Sequence, residues 1–159
     1  MTDIPPLNLV PVFDLPAWEL RQAREAELAA QVLPHNKAAL FDALATAGIA
    51  TVIVQFEGYG DSGQIEDILS RNGDLDIALP PDLIEIAVVQ WEADEPQRIT
   101  VSVHDVIERL VFDFLAETHC GWENNDGAYG DFTFDVANQT ISLDYNERYT
   151  ASENYTHEF

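Results

Sequence analysis

The chain has 159 residues, 29 of them Asp or Glu against 7 Lys or Arg, for a formal charge of -22 and a pI near 4.1. Apolar residues make up 47%, enough for a core, so the acid excess does not imply disorder. The length fits one domain, no apolar run reaches a membrane span, and the lone Cys120 excludes an internal disulfide framework or a cysteine zinc cage. Met1 to Val10 lacks the basic start and apolar centre of a signal peptide, so a soluble cytoplasmic protein is expected.

In chain order, residues 1–13 read as an extended arm rich in proline. Asp14 and Pro16 suit the cap and first turn of a helix running to about Leu33, with Trp18, Ala23, Ala26, Ala30 and Leu33 as its apolar stripe and Arg21 and Glu25 as an exposed pair. Pro34 is expected to break it. A second helix from about Asn36 would bury Leu40, Phe41, Leu44 and Ala47 and end at Gly48 in left-handed backbone, giving an N-terminal helical hairpin. Ile49 to Phe56 has the β-branched, apolar profile of a strand buried on both faces. Gly58 to Gly63 reads as a turn, and Gln64 to Leu69 as either a returning strand or a short helix. Leu83 to Trp91 and Arg98 to Val101 flank a turn at Asp94 to Gln97 and read as a strand pair.

Ser102 opens a central amphipathic helix whose stripe is Val103, Val106, Ile107, Leu110, Val111, Phe114 and Leu115. After Gly121 the period becomes two. Phe132, Phe134 and Val136 alternate with Asp131, Thr133 and Asp135; beyond Asn138 and Gln139, Ile141, Leu143 and Tyr145 alternate with Ser142, Asp144 and Asn146. That is a C-terminal β-hairpin with one core face and one acidic face. The fold class is therefore α+β: a helical hairpin, an antiparallel sheet, one central helix and a C-terminal hairpin, with the domain at 14–151 and a polar tail at 152–159.

Few motifs carry chemistry. Gly58 to Gly63 spells G-x-G-x-x-G, but Glu57, Glu66 and Asp67 would set carboxylates where a pyrophosphate must sit, and no strand–helix series follows. Gly60-Asp61-Ser62-Gly63 and Thr118-His119-Cys120 echo trypsin-like segments in the wrong order, and geometry defines a triad. Placing Gly127 at the sixth position of a calcium loop puts Trp122 first and Thr133 last, neither a suitable ligand. An irregular cation site joining Asp61 to Glu123 or Asp126 is a further reading. The four histidines share no ligand spacing, and Cys120 is expected to be buried and inert. Trp122, Tyr129, Tyr145, Tyr149 and Tyr155 lie among acids and are expected mostly to finish the core. No cofactor or resident metal is expected.

Phe56 to Glu66 (FEGYGDSGQIE) and Gly121 to Tyr149 (GWENNDGAYGDFTFDVANQTISLDYNERY) resemble a family of small, acidic, uncharacterised bacterial proteins of plasmids and other mobile elements. The resemblance covers about the last two-thirds of the chain. It implies a bacterial cytoplasmic setting and a part in conflict between mobile DNA and host, with no catalytic residues to carry over.

The charge itself is uneven. Residues 1–48 hold only Asp3, Asp14, Glu19, Glu25, Glu27 and Asp42 against Arg21, Arg24 and Lys37. Between Arg109 and Arg148 lie Asp113, Glu117, Glu123, Asp126, Asp131, Asp135, Asp144 and Glu147 with no base among them. Such a surface repels nucleic acid and anionic membrane and attracts basic partners. The expectation is a non-enzymatic protein whose acidic face fills the groove of a basic, nucleic-acid-binding protein, as an anti-restriction or anti-CRISPR inhibitor would, with those eight acids as the binding face. The alternatives are a general interaction module and a calcium- or magnesium-dependent hydrolase around Asp61 and Asp126. Oligomeric state is left open.

Overall fold

A computed structural model describes residues 16–90 and 94–159. The expected arm at 1–13, the Asp14 cap and Trp91 lie outside the described residues. A single helix, α1 (Ala17–Thr46), replaces the expected helical hairpin, and Pro34 sits inside it. Proline removes one ladder bond, a cost of about 3 kcal/mol in a helix interior. Packing on both sides of the gap outweighs that cost, with Leu28 buried before Pro34 and Asn36, Leu40, Phe41 and Leu44 buried after it. Trp18, Ala23, Ala26 and Ala30, the stripe expected to be buried, are exposed. Arg21 reaches Asp94, rather than Glu25, at 3.8 Å. The C-terminal end forms as expected: Gly48 has φ 79°, and Ile49 N–H donates to the Leu44 carbonyl.

Next come β1 (Thr51–Tyr59), β2 (Ser62–Asn72) and β3 (Leu75–Asp76), followed by β4 (Leu83–Val88), β5 (Gln97–Ser102), α2 (Val103–Thr118), β6 (Ala128–Asp135) and β7 (Thr140–Glu147). Gln64 to Leu69 is thus strand. Gly60 and Asp61 both take positive φ, the backbone of a two-residue turn whose twist matches its strands. The main sheet is antiparallel in the order β3-β2-β1-β6-β7, and β4 pairs with β5 in a second sheet.

β1 was expected to be buried on both faces. Only Val52, Val54, Phe56 and Gly58 are buried, because the described elements cover the sheet on one side alone. On that inner face Phe134 lies 6.3 Å from Phe41 of α1, and Phe132 lies 6.2 Å from Phe114 of α2. The stripe Val103, Val106, Ile107, Leu110, Val111 and Leu115 of α2 completes the same core, and Ser102 Oγ accepts from Asp105 N–H to cap the helix.

The second sheet is tied to α1 by a side chain. Asn36 donates to the Ala87 carbonyl and accepts from Ala87 N–H, both at 2.8 Å. One amide therefore replaces a missing ladder rung on the edge of β4 that no described strand pairs, which is why this polar group can be buried.

Candidate functional site

Strand alternation and register set the acids of the sheet. Phe132, Phe134 and Val136 point inward, so Asp131, Thr133 and Asp135 point outward. The pairings place Asp67, Gln55, Asp131 and Asp144 in one row across β2, β1, β6 and β7. A second row is Leu69, Ile53, Thr133 and Ser142, and a third is Arg71, Thr51, Asp135 and Thr140. No described helix or strand covers this outer face: its side chains are exposed or half-buried throughout.

Asp131 and Asp144 stand directly opposite each other, a like-charge pairing that costs stability. Among the described residues no base lies within ion-pair reach of Asp67, Asp131, Asp135 or Asp144. Arg71, the nearest base in register, is held by Asp76 at 3.0 Å. Asp135 has its own arrangement. The Asn138 side chain and backbone N–H donate to its carboxylate at 2.8 and 3.2 Å and lower its pKa below the usual carboxylate value.

The eight acids singled out in the sequence divide among three places. Asp131, Asp135 and Asp144 share the outer face. Asp113 and Glu117 lie on α2, which packs against the inner side. Asp126 and Glu147 line a cleft of about 200 Å³ at the end of the sheet, together with His119, Cys120, Asn124 and Arg148; Glu123 is in the loop beside it. Asp67 and Glu57 complete the outer face: the facing of Asp67 depends on the shifted register of β2, which one strand does not reveal, and Glu57 lies on β1 beyond the apolar run Ile49 to Phe56.

The two distinctive segments of the sequence meet beside that cleft. The Trp122 indole lies across the β1–β2 hairpin so closely that a Cβ on Gly58 would sit 2.7 Å from it, and one on Gly63 would overlap it. The glycine pattern is thus a platform for an indole ring. Phe56 meets Trp122 edge-on at 5.5 Å, and Asp61 N–H donates to the Glu123 carbonyl. Arg148 closes the junction: it donates to the Gly58 carbonyl at 3.2 Å, pairs with Glu57 at 3.4 Å and lies 4.7 Å over the Tyr129 ring.

Within the cleft, His119 stacks flat on Tyr145 with ring centroids 3.6 Å apart. Burial, then Glu147 and Glu123, push the Tyr145 hydroxyl pKa upward. Cys120, expected to be buried, is exposed, because the turn at 119–122 places Trp122 in the core in its stead. Of the aromatic group, Trp122 is buried and Tyr145 half-buried, while Tyr129, Tyr149 and Tyr155 are exposed.

Asp61, Glu123 and Asp126 do not form a three-ligand cluster. Among the described residues the group with ligand spacing is His104, Asp105 and Glu108, at the start of α2. His104 Nδ1 lies 3.0 Å from Glu108 Oε1, the geometry of an exposed i, i+4 pair. No described helix is long and apolar enough to cross a membrane.

Residues 32–159 match the model of a family of unknown function, DUF6878. The chain belongs to that family. The match begins inside α1 and takes in the half of the helix that bears Asn36, Leu40, Phe41 and Leu44, the whole sheet, and both distinctive segments. No curated protein and no solved structure gives a match.

Proposed function

We propose that this protein is a non-enzymatic binding protein whose open sheet face occupies the basic groove of a nucleic-acid-binding protein, such as a host defence nuclease. The observation that supports this reading is the row Asp67, Gln55, Asp131, Asp144 on a face that no described element covers. Folding alone disfavours two carboxylates in register without a base between them. A partner's lysines and arginines would relieve that repulsion and repay it as binding energy. Neighbouring strands lie about 4.8 Å apart, so Asp131 and Asp144 approach each other about as closely as adjacent charges on a polyanion. The polar outer residues Thr51, Thr133, Thr140 and Ser142 add hydrogen-bonding groups without adding bulk.

The test is capture from a bacterial lysate on immobilised protein at about 50 mM salt, where surface charge is least screened. The expected result is a bound protein that short duplex DNA or RNA displaces, and that the triple variant Asp131→Asn, Asp135→Asn, Asp144→Asn captures at least about tenfold less well. Equal capture by the triple variant, or capture that nucleic acid leaves untouched, would overturn the reading.

A further inference from the structure

We propose that the outward edge of β7, unpaired among the described residues, is a strand-pairing site, and that its occupant is an extended segment of the partner in which basic and apolar residues alternate. This rests on the proposed function for the sign of the partner's charge, and adds the place and the backbone form in which that partner is held.

The phase of the ladder shows which groups are open. Arg148 N–H donates to the Gly127 carbonyl at 2.9 Å, and Val136 N–H donates to the Ala50 carbonyl on the other side of β6. Since antiparallel residues alternate between bonded and unbonded pairs, Thr140, Ser142, Asp144 and Asn146 turn their backbone groups toward β6. Ile141, Leu143, Tyr145 and Glu147 turn theirs outward. Among the described residues no backbone hydrogen bond reaches those outward groups. The chain after β7 does not fold back to cover them: residues 151–159 are exposed throughout.

An edge like this is normally blunted by brevity, bulges, proline or lysine. The opposite side of the sheet shows such devices. The register of β2 slips beside Gln55 and Phe56, the Asp67 carboxylate accepts from the neighbouring Ile68 N–H, and two-residue β3 covers Arg71 and Asn72. β7 has no bulge, proline or lysine. Its eight residues pair with β6 in unbroken register, and its charges, Asp144 and Glu147, are acids that a basic strand would complement.

Charge selects the occupant. On the outer face β7 carries Asp144 with Asp131 beside it. Glu147 adds an acid at the strand's end on the inner side. The strand holds no base, and Arg148 is occupied by Glu57 and the Gly58 carbonyl. A second copy would bring one acid-rich edge, on a chain of charge -22, against another. In an added strand, the residue opposite Asp144 falls on the outer face, where Lys or Arg meets the Asp144 carboxylate, with Asp131 one strand further in. Residues opposite Leu143 and Tyr145 fall on the inner side, where those half-buried side chains leave an apolar rim. The recognised class is therefore a basic–apolar alternating strand, bound by main-chain bonds and selected by side-chain alternation.

Amide hydrogen exchange on the full chain tests this, with a capped peptide of about eight residues alternating Lys and Val as the probe and a Glu–Val peptide as control. In the free chain the Ile141, Leu143 and Tyr145 amides should exchange quickly, while those of Ser142 and Asp144 are already protected. The Lys–Val peptide should slow the three outward amides by about tenfold or more, and the Glu–Val peptide should not. Protection of the three amides in the free chain would overturn the proposal, because another segment or a second copy would then already hold the edge. So would failure of the Lys–Val peptide to bind, or binding that leaves the three amides unchanged. That last outcome leaves the acidic face standing, whereas edge protection combined with undiminished capture by the triple Asn variant would sink the proposed function and keep the edge.

Discussion

A methyl group on Gly63 would run into the Trp122 indole, and Gly58 allows scarcely more room. Overpacking of this kind costs about 1–3 kcal/mol. Gly63→Ala should lower stability by about that much in urea denaturation, and Trp122→Leu in the same chain should make the two losses less than additive, since the smaller side chain removes the clash. A turn glycine without a tertiary role would instead show full additivity. The glycines themselves were visible in the sequence, but their reason was not. Trp122 is far from them along the chain, and spacing alone could not pair the ring with the hairpin. Asn36 teaches the same lesson: a helix-face amide is unremarkable until Ala87 is found opposite it.

At the scale of an element, α2 carries Arg109, Asp113 and Glu117 at successive i, i+4 positions. Asp113 is exposed at the surface, yet partial desolvation by its neighbours raises its pKa; Arg109 works against that rise, and Glu117 adds to it. A carboxyl whose pKa is raised on folding favours the folded state while protonated, and this advantage fades as pH climbs through the folded-state pKa. Ionised Asp113 is therefore a small burden at neutral pH. Asp113→Asn should raise Tm by about 1 °C at neutral pH, with the gain vanishing in acid below the usual carboxylate range. An equal gain at both pH values would remove ionisation as the cause. The period of α2 was legible from its stripe, because its core contacts repeat at helical spacing. In α1 the local rule for proline pointed to a break, and packing on both sides of Pro34 decided otherwise.

For the molecule as a whole, a charge of -22 acts against compactness through self-repulsion. The outer face adds the carboxylates of Asp67, Asp131 and Asp144, which no described base pairs, to that load. Screening should relieve it: Tm is expected to rise by several degrees between about 20 and about 300 mM salt, while capture of a basic partner weakens over the same range. A Tm insensitive to salt would mean that the charges are too far apart to strain the fold. These opposite responses separate the cost of the acidic surface from its use.

The sequence by itself determined what depends on near neighbours: the α+β class, the central helix, the β4–β5 and β6–β7 hairpins, and the outward phase of Asp131, Asp135 and Asp144, since period-two alternation assigns each side chain to a face. Tertiary structure decided what depends on segments far apart in the chain. Inter-strand register brought Asp67 into line with Asp131 and Asp144, and packing carried α1 through Pro34. Strand order left β7 at an edge, because which backbone groups find partners is settled only when all the strands are placed.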